Sequence, residues 1–122
     1  MDKNELKLIL GDKFDTFDIL EDELMGICVV ALKDSLKLID YIHSYGDIVL
    51  GGDVYECRQG SLIDIPEFNW YAKFSKYNTY IENQGHAYAK AVEFYSNLTL
   101  SKENFYTDIV FSDELWFRNQ AI

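Results

Sequence analysis

Two short apolar runs separated by a turn predict a β-hairpin near the middle of the chain. The first run covers residues 48–57 and the second residues 61–65, and Pro66 ends the second. With Gln59-Gly60 at the centre of the turn, Cys57 faces Leu62, Tyr55 faces Asp64 and Val54 faces Ile65. The strand period of two then predicts a core face with Leu50, Val54, Ile63 and Ile65, and an outer face with Asp53, Tyr55, Leu62 and Asp64.

Three other segments have the apolar spacing of helices. Residues 2–10 carry a narrow stripe of Leu6, Ile9 and Leu10, followed by Gly11-Asp12 as a stop signal. A second helix is predicted from Lys33 or Asp34 to Gly46, and a third from about Asn78 to Leu98. Gly85, inside the third helix, predicts close packing against the sheet. The inward face of this helix is expected to hold Tyr77, Ile81, Gln84, Tyr88, Ala91, Val92 and Tyr95.

The remaining apolar runs predict further strands. Residues 26–32 are continuously apolar, which is typical of a strand buried on both faces. Residues 107–111 predict a last strand. Residues 66–74 are expected to form a connection or a further strand. Residues 14–24 are expected to be an irregular segment or a short helical turn. Together the elements predict an α+β fold in which a small antiparallel sheet, with the hairpin at about 48–57 and 61–65, packs against about three helices.

A length of 122 residues predicts one domain spanning 1–122. The segment from residue 112 is expected to be a loose tail unless Leu115, Trp116 and Phe117 dock onto the domain. The N-terminus has no apolar signal segment, and no apolar run approaches the roughly 20 residues that cross a bilayer. With only Cys28 and Cys57 present, a reduced, cytoplasmic protein is expected, although the sequence alone leaves a disulfide open.

The run Leu50-Gly51-Gly52-Asp53-Val54-Tyr55 and the later Asn69-Trp70-Tyr71 resemble the two signatures of the immunity protein 40 family. The resemblance covers about residues 26–98, including the helix that ends in residues 89–95. This family belongs to bacterial polymorphic toxin systems, so the resemblance implies a binder that neutralises a cognate toxin and implies no catalytic residue. Independently of it, glycines inside a strand predict a bulge or the close approach of another group at Gly51-Gly52.

The charge narrows the class of partner. The chain has 21 acidic and 11 basic residues and a formal net charge of −10. This balance disfavours nucleic acid and anionic membranes as partners, because both are bound through Lys and Arg patches. It favours a basic protein partner, although an acidic surface can equally serve solubility alone.

The sequence contains few residues in the patterns of a metal site or a catalytic site. Glu82 and His86 have the i, i+4 spacing of metal ligands, but a third ligand is missing, so no metal or other cofactor is expected. Cys57 lacks the neighbours that activate a thiol nucleophile. Asp53 and Asp64 share a predicted face and could form an acid–base pair, but acids beside turns are more often simply solvated. No catalytic residue is therefore assigned.

The predicted function is an immunity protein that occludes a secreted bacterial toxin, with acidic side chains meeting a basic substrate cleft. A nuclease is the natural class of toxin with such a cleft. Two alternatives remain: a small hydrolase using Asp53 and Asp64, and a generic acidic adaptor or nucleic-acid mimic. The candidate toxin-binding residues are Asp53, Tyr55, Glu56, Asp64, Glu67 and Tyr71.

Overall fold

A computed structural model describes residues 1–100 and 103–120 of the chain. Over these residues it consists of a six-stranded antiparallel sheet and four α-helices, which confirms the α+β prediction. The helices are α1 (Lys3–Leu10), α2 (Ser35–Tyr45), α3 (Tyr80–Asn97) and α4 (Glu114–Arg118). The strands are β1 (Ile19–Asp22), β2 (Ile27–Ala31), β3 (Ile48–Arg58), β4 (Ser61–Asp64), β5 (Trp70–Tyr71) and β6 (Phe105–Ser112).

The longest strand, β3, lies inside the sheet and organises it. The strand order is β1-β2-β6-β3-β4, and the short β5 also pairs with β3. β3 therefore has β6 along one edge, and β4 and β5 along the other. In contrast, β2 pairs with β6 at only two positions, Val30 with Thr107 and Ala31 with Tyr106. The sheet is thus held mainly through the β3–β6 pair.

The predicted hairpin is present with the predicted register. Tyr55 pairs with Asp64 and Cys57 with Leu62, and the Ile65 amide donates to the Val54 carbonyl. Gln59 and Gly60 both have positive φ, 52° and 81°, as a two-residue type I′ turn requires. Ile63, predicted in the core, is instead 40% exposed. It lies on a four-residue strand at the margin of the sheet, where strand alternation alone does not produce burial.

The helices cover β3 and supply most of the main core. Leu6, Ile9 and Leu10 of α1 are buried, as predicted, and α2 ends at Gly46 in a left-handed conformation with φ 98°. α2 and α3 pack against each other and against β3. The main core joins these helices to the sheet through Val30, Val49, Trp70 and Ile109.

The predicted inward face of α3 was partly wrong. The helix starts with a capping box between Thr79 and Glu82, and it buries Tyr80, Asn83, Ala87, Ala91 and Tyr95. Tyr77 precedes the helix and is 87% exposed, while Ile81 is 75% exposed. Polar Asn83 is accommodated inside because its side chain bonds the backbone of Ser75. Gly85 is exposed and has no atom within 4 Å of an added Cβ, so the close packing predicted there was also wrong.

Two weakly patterned segments are more ordered than the sequence indicated. Residues 14–24, predicted as irregular or briefly helical, begin inside a 3₁₀ helix (Gly11–Thr16) and continue into strand β1, which was missed. The segment from residue 112 includes α4, where Phe117 docks. Its ring makes edge contacts with Phe74 and Tyr80, at centroid distances of 5.0 Å and 5.7 Å. These contacts form a second, smaller core cluster with Ile48 and Ala87.

Candidate binding surface

The two glycines of β3 allow β5 and α3 to approach the strand closely. Gly51 pairs with Tyr71 and Gly52 with Trp70, and the β3–β6 register shifts between Val49 and Gly51. A Cβ on Gly51 would lie 2.6 Å from the Trp70 carbonyl oxygen. One on Gly52 would lie 2.5 Å from Tyr95 Oη and 2.7 Å from Trp70 Nε1. Both predicted features, a bulge and a close approach, are therefore present.

A buried chain of hydrogen bonds passes beneath Gly52. The Trp70 indole N–H donates to Tyr95 Oη over 3.1 Å, and Thr107 Oγ1 donates to the Asp53 carbonyl oxygen over 2.9 Å. A threonine hydroxyl has one proton, so Thr107 must accept from the Tyr95 hydroxyl, 2.7 Å away. Burial raises the pKa of Tyr95 to about 12, which keeps this donor protonated. Trp70 and Tyr95 thus lock β5 and α3 onto the centre of the sheet.

The sheet face opposite this chain contains four of the six predicted contact residues. Tyr71 lies across from Gly51, and Asp64 lies across from Tyr55, two positions along β3 from Asp53. Tyr71 is 74% exposed. Tyr55, by contrast, is only 7% exposed, and burial raises its pKa to about 12. We call Asp53, Tyr55, Asp64 and Tyr71 the hairpin face.

The other two predicted residues do not join this face. Glu56 follows Tyr55 on β3, so its side chain projects to the other side of the sheet, where it forms an ion pair with Arg58. Glu67 is exposed in a 3₁₀ turn (Pro66–Phe68) beyond the hairpin.

The hairpin face has negative charge that the Met1 amino group offsets only in part. Burial, followed by repulsion from Asp108 and Asp64, raises the pKa of Asp53. Asp108, its cross-strand neighbour, is paired with the Met1 amino group at 2.7 Å. Within the described part of the chain, Asp53 and Asp64 form no ion pair. Such carboxylates, beside an exposed tyrosine, are suited to binding a basic partner surface.

Comparison with protein-family models gives a match to immunity protein 40 over residues 23–111, which is more than half of the chain. The chain belongs to the immunity protein 40 family. No curated protein and no solved structure gave a match. The matched span includes both glycines, Trp70, Tyr95 and Thr107, so the packing at the centre of the sheet lies within the part of this immunity protein that matches the family.

The ionisable residues in the described part of this family member are not arranged as a metal site. Over residues 1–100 and 103–120, no group of three or more His, Cys, Asp or Glu could hold a metal ion. Cys28 and Cys57 are both free thiols. None of the described helices has the length and apolar character needed to span a bilayer.

A groove elsewhere on the protein was missed by the sequence analysis. It lies between α1 and α4, where residues from the ends of α2, β3 and β6 line a groove of about 470 Å³. No motif indicated it, because its residues are far apart in sequence and the tail that supplies Trp116 was expected to be loose. We call it the α1–α4 groove; its lining comprises Glu5, Leu8, Ile9, Tyr45, Asp47, Leu50, residues 110–113 and Trp116.

Proposed function

We propose that this protein binds a cognate secreted bacterial toxin and neutralises it by occluding its substrate-binding cleft. The observation that carries the proposal is the family match over residues 23–111. An immunity protein acts on a toxin partner, and occlusion requires a surface that is complementary to the toxin in shape and charge.

The charge of the protein indicates the chemistry of the toxin. A net charge of −10 favours a toxin with a basic cleft, and enzymes that cleave nucleic acid need such a cleft. A nuclease is therefore the class of toxin that we propose. Asp53 and Asp64 would face its basic side chains, and Tyr71 would supply the apolar contact.

The hairpin face supports this proposal through the exposure of Tyr71 and the fixed backbone that carries it. Tyr71 projects outwards from a backbone that is paired to Gly51 and fixed by neighbouring Trp70. A rigid exposed tyrosine loses little conformational entropy on binding, which is why tyrosines are frequent at the centres of interfaces. Glu67 and Glu56 would contribute from the margin of the hairpin.

The test is a stoichiometric titration of a candidate cognate toxin, which would be sought among the genes beside that of this protein. Occlusion predicts that toxin activity falls linearly and reaches its minimum near one equivalent of immunity protein. The two proteins should then co-elute as a complex, and co-expression should restore the growth of cells that produce the toxin. A hydrolase that destroys the toxin or its substrate would act at far below one equivalent, and that result would contradict occlusion.

A negative control separates charge from specific recognition. An unrelated acidic protein of similar size and net charge should leave the toxin active at the same concentration. Equal inhibition by that protein would favour the acidic-mimic alternative. Failure of the intact, soluble immunity protein to protect cells from its cognate toxin would contradict the proposal as a whole.

A further inference from the structure

The α1–α4 groove combines exposed apolar walls with acidic groups. Leu8 of α1 is 70% exposed, Val110 of β6 is 44% exposed and Trp116 of α4 is 49% exposed. Glu5, Asp47 and Asp113 line the same groove. Large apolar side chains that are left uncovered around a concave surface are typical of a binding site.

Asp47 is the half-buried acidic group of the groove, whereas Glu5 and Asp113 are exposed. It lies between α2 and β3, where its backbone is fixed: its N–H donates to the Ile42 carbonyl, and its carbonyl accepts from the Gln84 side chain. Among the described residues, its half-buried carboxylate receives neither a hydrogen bond nor an ion pair. Partial burial of an unpaired carboxylate is unfavourable, so the free protein keeps this charge at a cost in stability.

We propose that the α1–α4 groove is a second contact site for the toxin and receives one of its lysine or arginine side chains. This inference rests on the proposed function. The aliphatic stem of such a side chain would lie against Leu8, Val110 and Trp116, and its cationic group would approach Asp47, Glu5 and Asp113.

The chemistry of the groove fits this occupant better than an apolar or acidic one. Lysine and arginine have an apolar stem and a charged end, which correspond to the walls and the acids of the groove. Arginine also stacks on the face of tryptophan. A purely apolar side chain would leave Asp47 buried without a partner, and an acidic one would be repelled.

The groove is continuous with the hairpin face along the sheet. Val110 pairs with Gly51 on β3, and Gly51 pairs with Tyr71 on β5. Cross-strand neighbours project from the same side of a sheet, so Tyr71 and Val110 flank Gly51 on one surface. A single toxin could therefore contact both sites.

The test uses Asp47→Asn and Trp116→Ala with an inactivated form of the cognate toxin as the probe. Each variant is expected to lower the affinity for the toxin at least tenfold. Glu93→Gln and Tyr77→Ala are the matched controls, because they remove an exposed acid and an exposed aromatic ring outside the groove. Both controls are expected to bind as the wild type does.

Thermal unfolding separates binding from folding. Removing the unpaired charge should leave the melting temperature of Asp47→Asn equal to or above that of the wild type at pH 7.5. Burial, with repulsion from Asp113 and Glu5, raises the pKa of Asp47 to about 6 from an ordinary value of 3.8. The carboxylate thus lowers stability as the pH rises from about 4 to 6, and Asp47→Asn should show a smaller decline over this window.

The pH dependence of binding gives a further readout. The groups near Asp47 are Glu5 of α1, Tyr45 of α2, Tyr80 of α3 and Asp113 before α4. The toxin's cation would favour the charged form of Asp47, so wild-type affinity should fall between pH 7.5 and 5.5. In Asp47→Asn this fall should be smaller.

The outcomes of these measurements distinguish the groove inference from the proposed function. If the wild type protects cells while both groove variants bind within twofold of it, the groove inference is wrong and the proposed function stands. If the wild type neither binds nor protects, both are wrong. A lower melting temperature for Asp47→Asn, with affinity restored at low temperature, would assign Asp47 a structural role instead.

Discussion

At the scale of single residues, the lack of space for a side chain, rather than the backbone conformation, makes glycine necessary at positions 51 and 52. Gly51 and Gly52 have no positive φ, so an alanine could adopt their backbone geometry. A Cβ on Gly51 would clash with the Trp70 carbonyl oxygen. A Cβ on Gly52 would clash with Tyr95 Oη and Trp70 Nε1. These side chains belong to the buried hydrogen-bond chain and have little freedom to move.

We therefore expect Gly52→Ala to destabilise the protein by about 1–3 kcal/mol, the range typical of overpacking. Gly85→Ala is the matched control. Its added Cβ meets nothing within 4 Å and lies in a helix, so it should stabilise the protein by roughly 0.5–1 kcal/mol. Urea unfolding of both variants measures the two changes. Equal stabilities for the two alanine variants would contradict the close packing of Gly52.

At the scale of elements, α4 shows how a short helix can be fixed by one buried side chain. Asp113 caps its first turn by accepting from the Trp116 amide over 2.8 Å. An isolated helix of five residues has little stability in water, so docking must hold it in place. The contacts of Phe117 with Phe74 and Tyr80 provide that docking, and they place Trp116 at the α1–α4 groove.

Phe117→Ala is expected to lower the free energy of unfolding by about 3 kcal/mol, because Phe117 is 5% exposed and its ring would leave a cavity. In this variant, amide hydrogen exchange in residues 114–118 should become faster than in the wild type, and the increase should be larger than in α3. Leu115→Ala, which changes a side chain that is 72% exposed, should stay within about 0.5 kcal/mol of the wild type. Wild-type exchange rates across α4 in Phe117→Ala would show that the helix does not depend on this contact.

At the scale of the whole molecule, the net charge and the exposed aromatic residues should act at different stages of binding. If the toxin has the proposed basic cleft, the charge of −10 attracts it from a distance, whereas Tyr71 would act only after contact. Salt screens this long-range attraction, and the screening length is about 8 Å at physiological ionic strength. Rate measurements can therefore separate the two contributions.

The association rate with the toxin should fall as salt increases from low to physiological concentration, with a smaller change in the dissociation rate. Asp53→Asn should slow association and also speed dissociation, with a total loss of about 2–5 kcal/mol if its charge pair is desolvated in the complex. Tyr71→Ala should mainly speed dissociation. Surface plasmon resonance at two salt concentrations measures these rates, with Glu93→Gln as the charge control. Unchanged kinetics for both variants would place the interface away from the hairpin face.

The sequence by itself determined the features that depend on neighbouring residues. Gly46 ends α2, Gln59-Gly60 form the hairpin turn, and the paired runs give the register of Tyr55 with Asp64. These features follow from φ preferences and from the periods of helix and strand, which act within a few residues. The net charge was also fixed at this level, whereas Gly51-Gly52 indicated only that a bulge or a close approach would occur there.

Only the tertiary structure decided which of these residues are exposed. It covered Tyr55, left Ile63 at the sheet margin, and turned α3 so that Asn83 rather than Ile81 is buried. It also brought Glu5, Asp47 and Asp113 to one groove. The physical reason is that periodicity fixes which residues share a face, whereas burial depends on what distant parts of the chain place over that face.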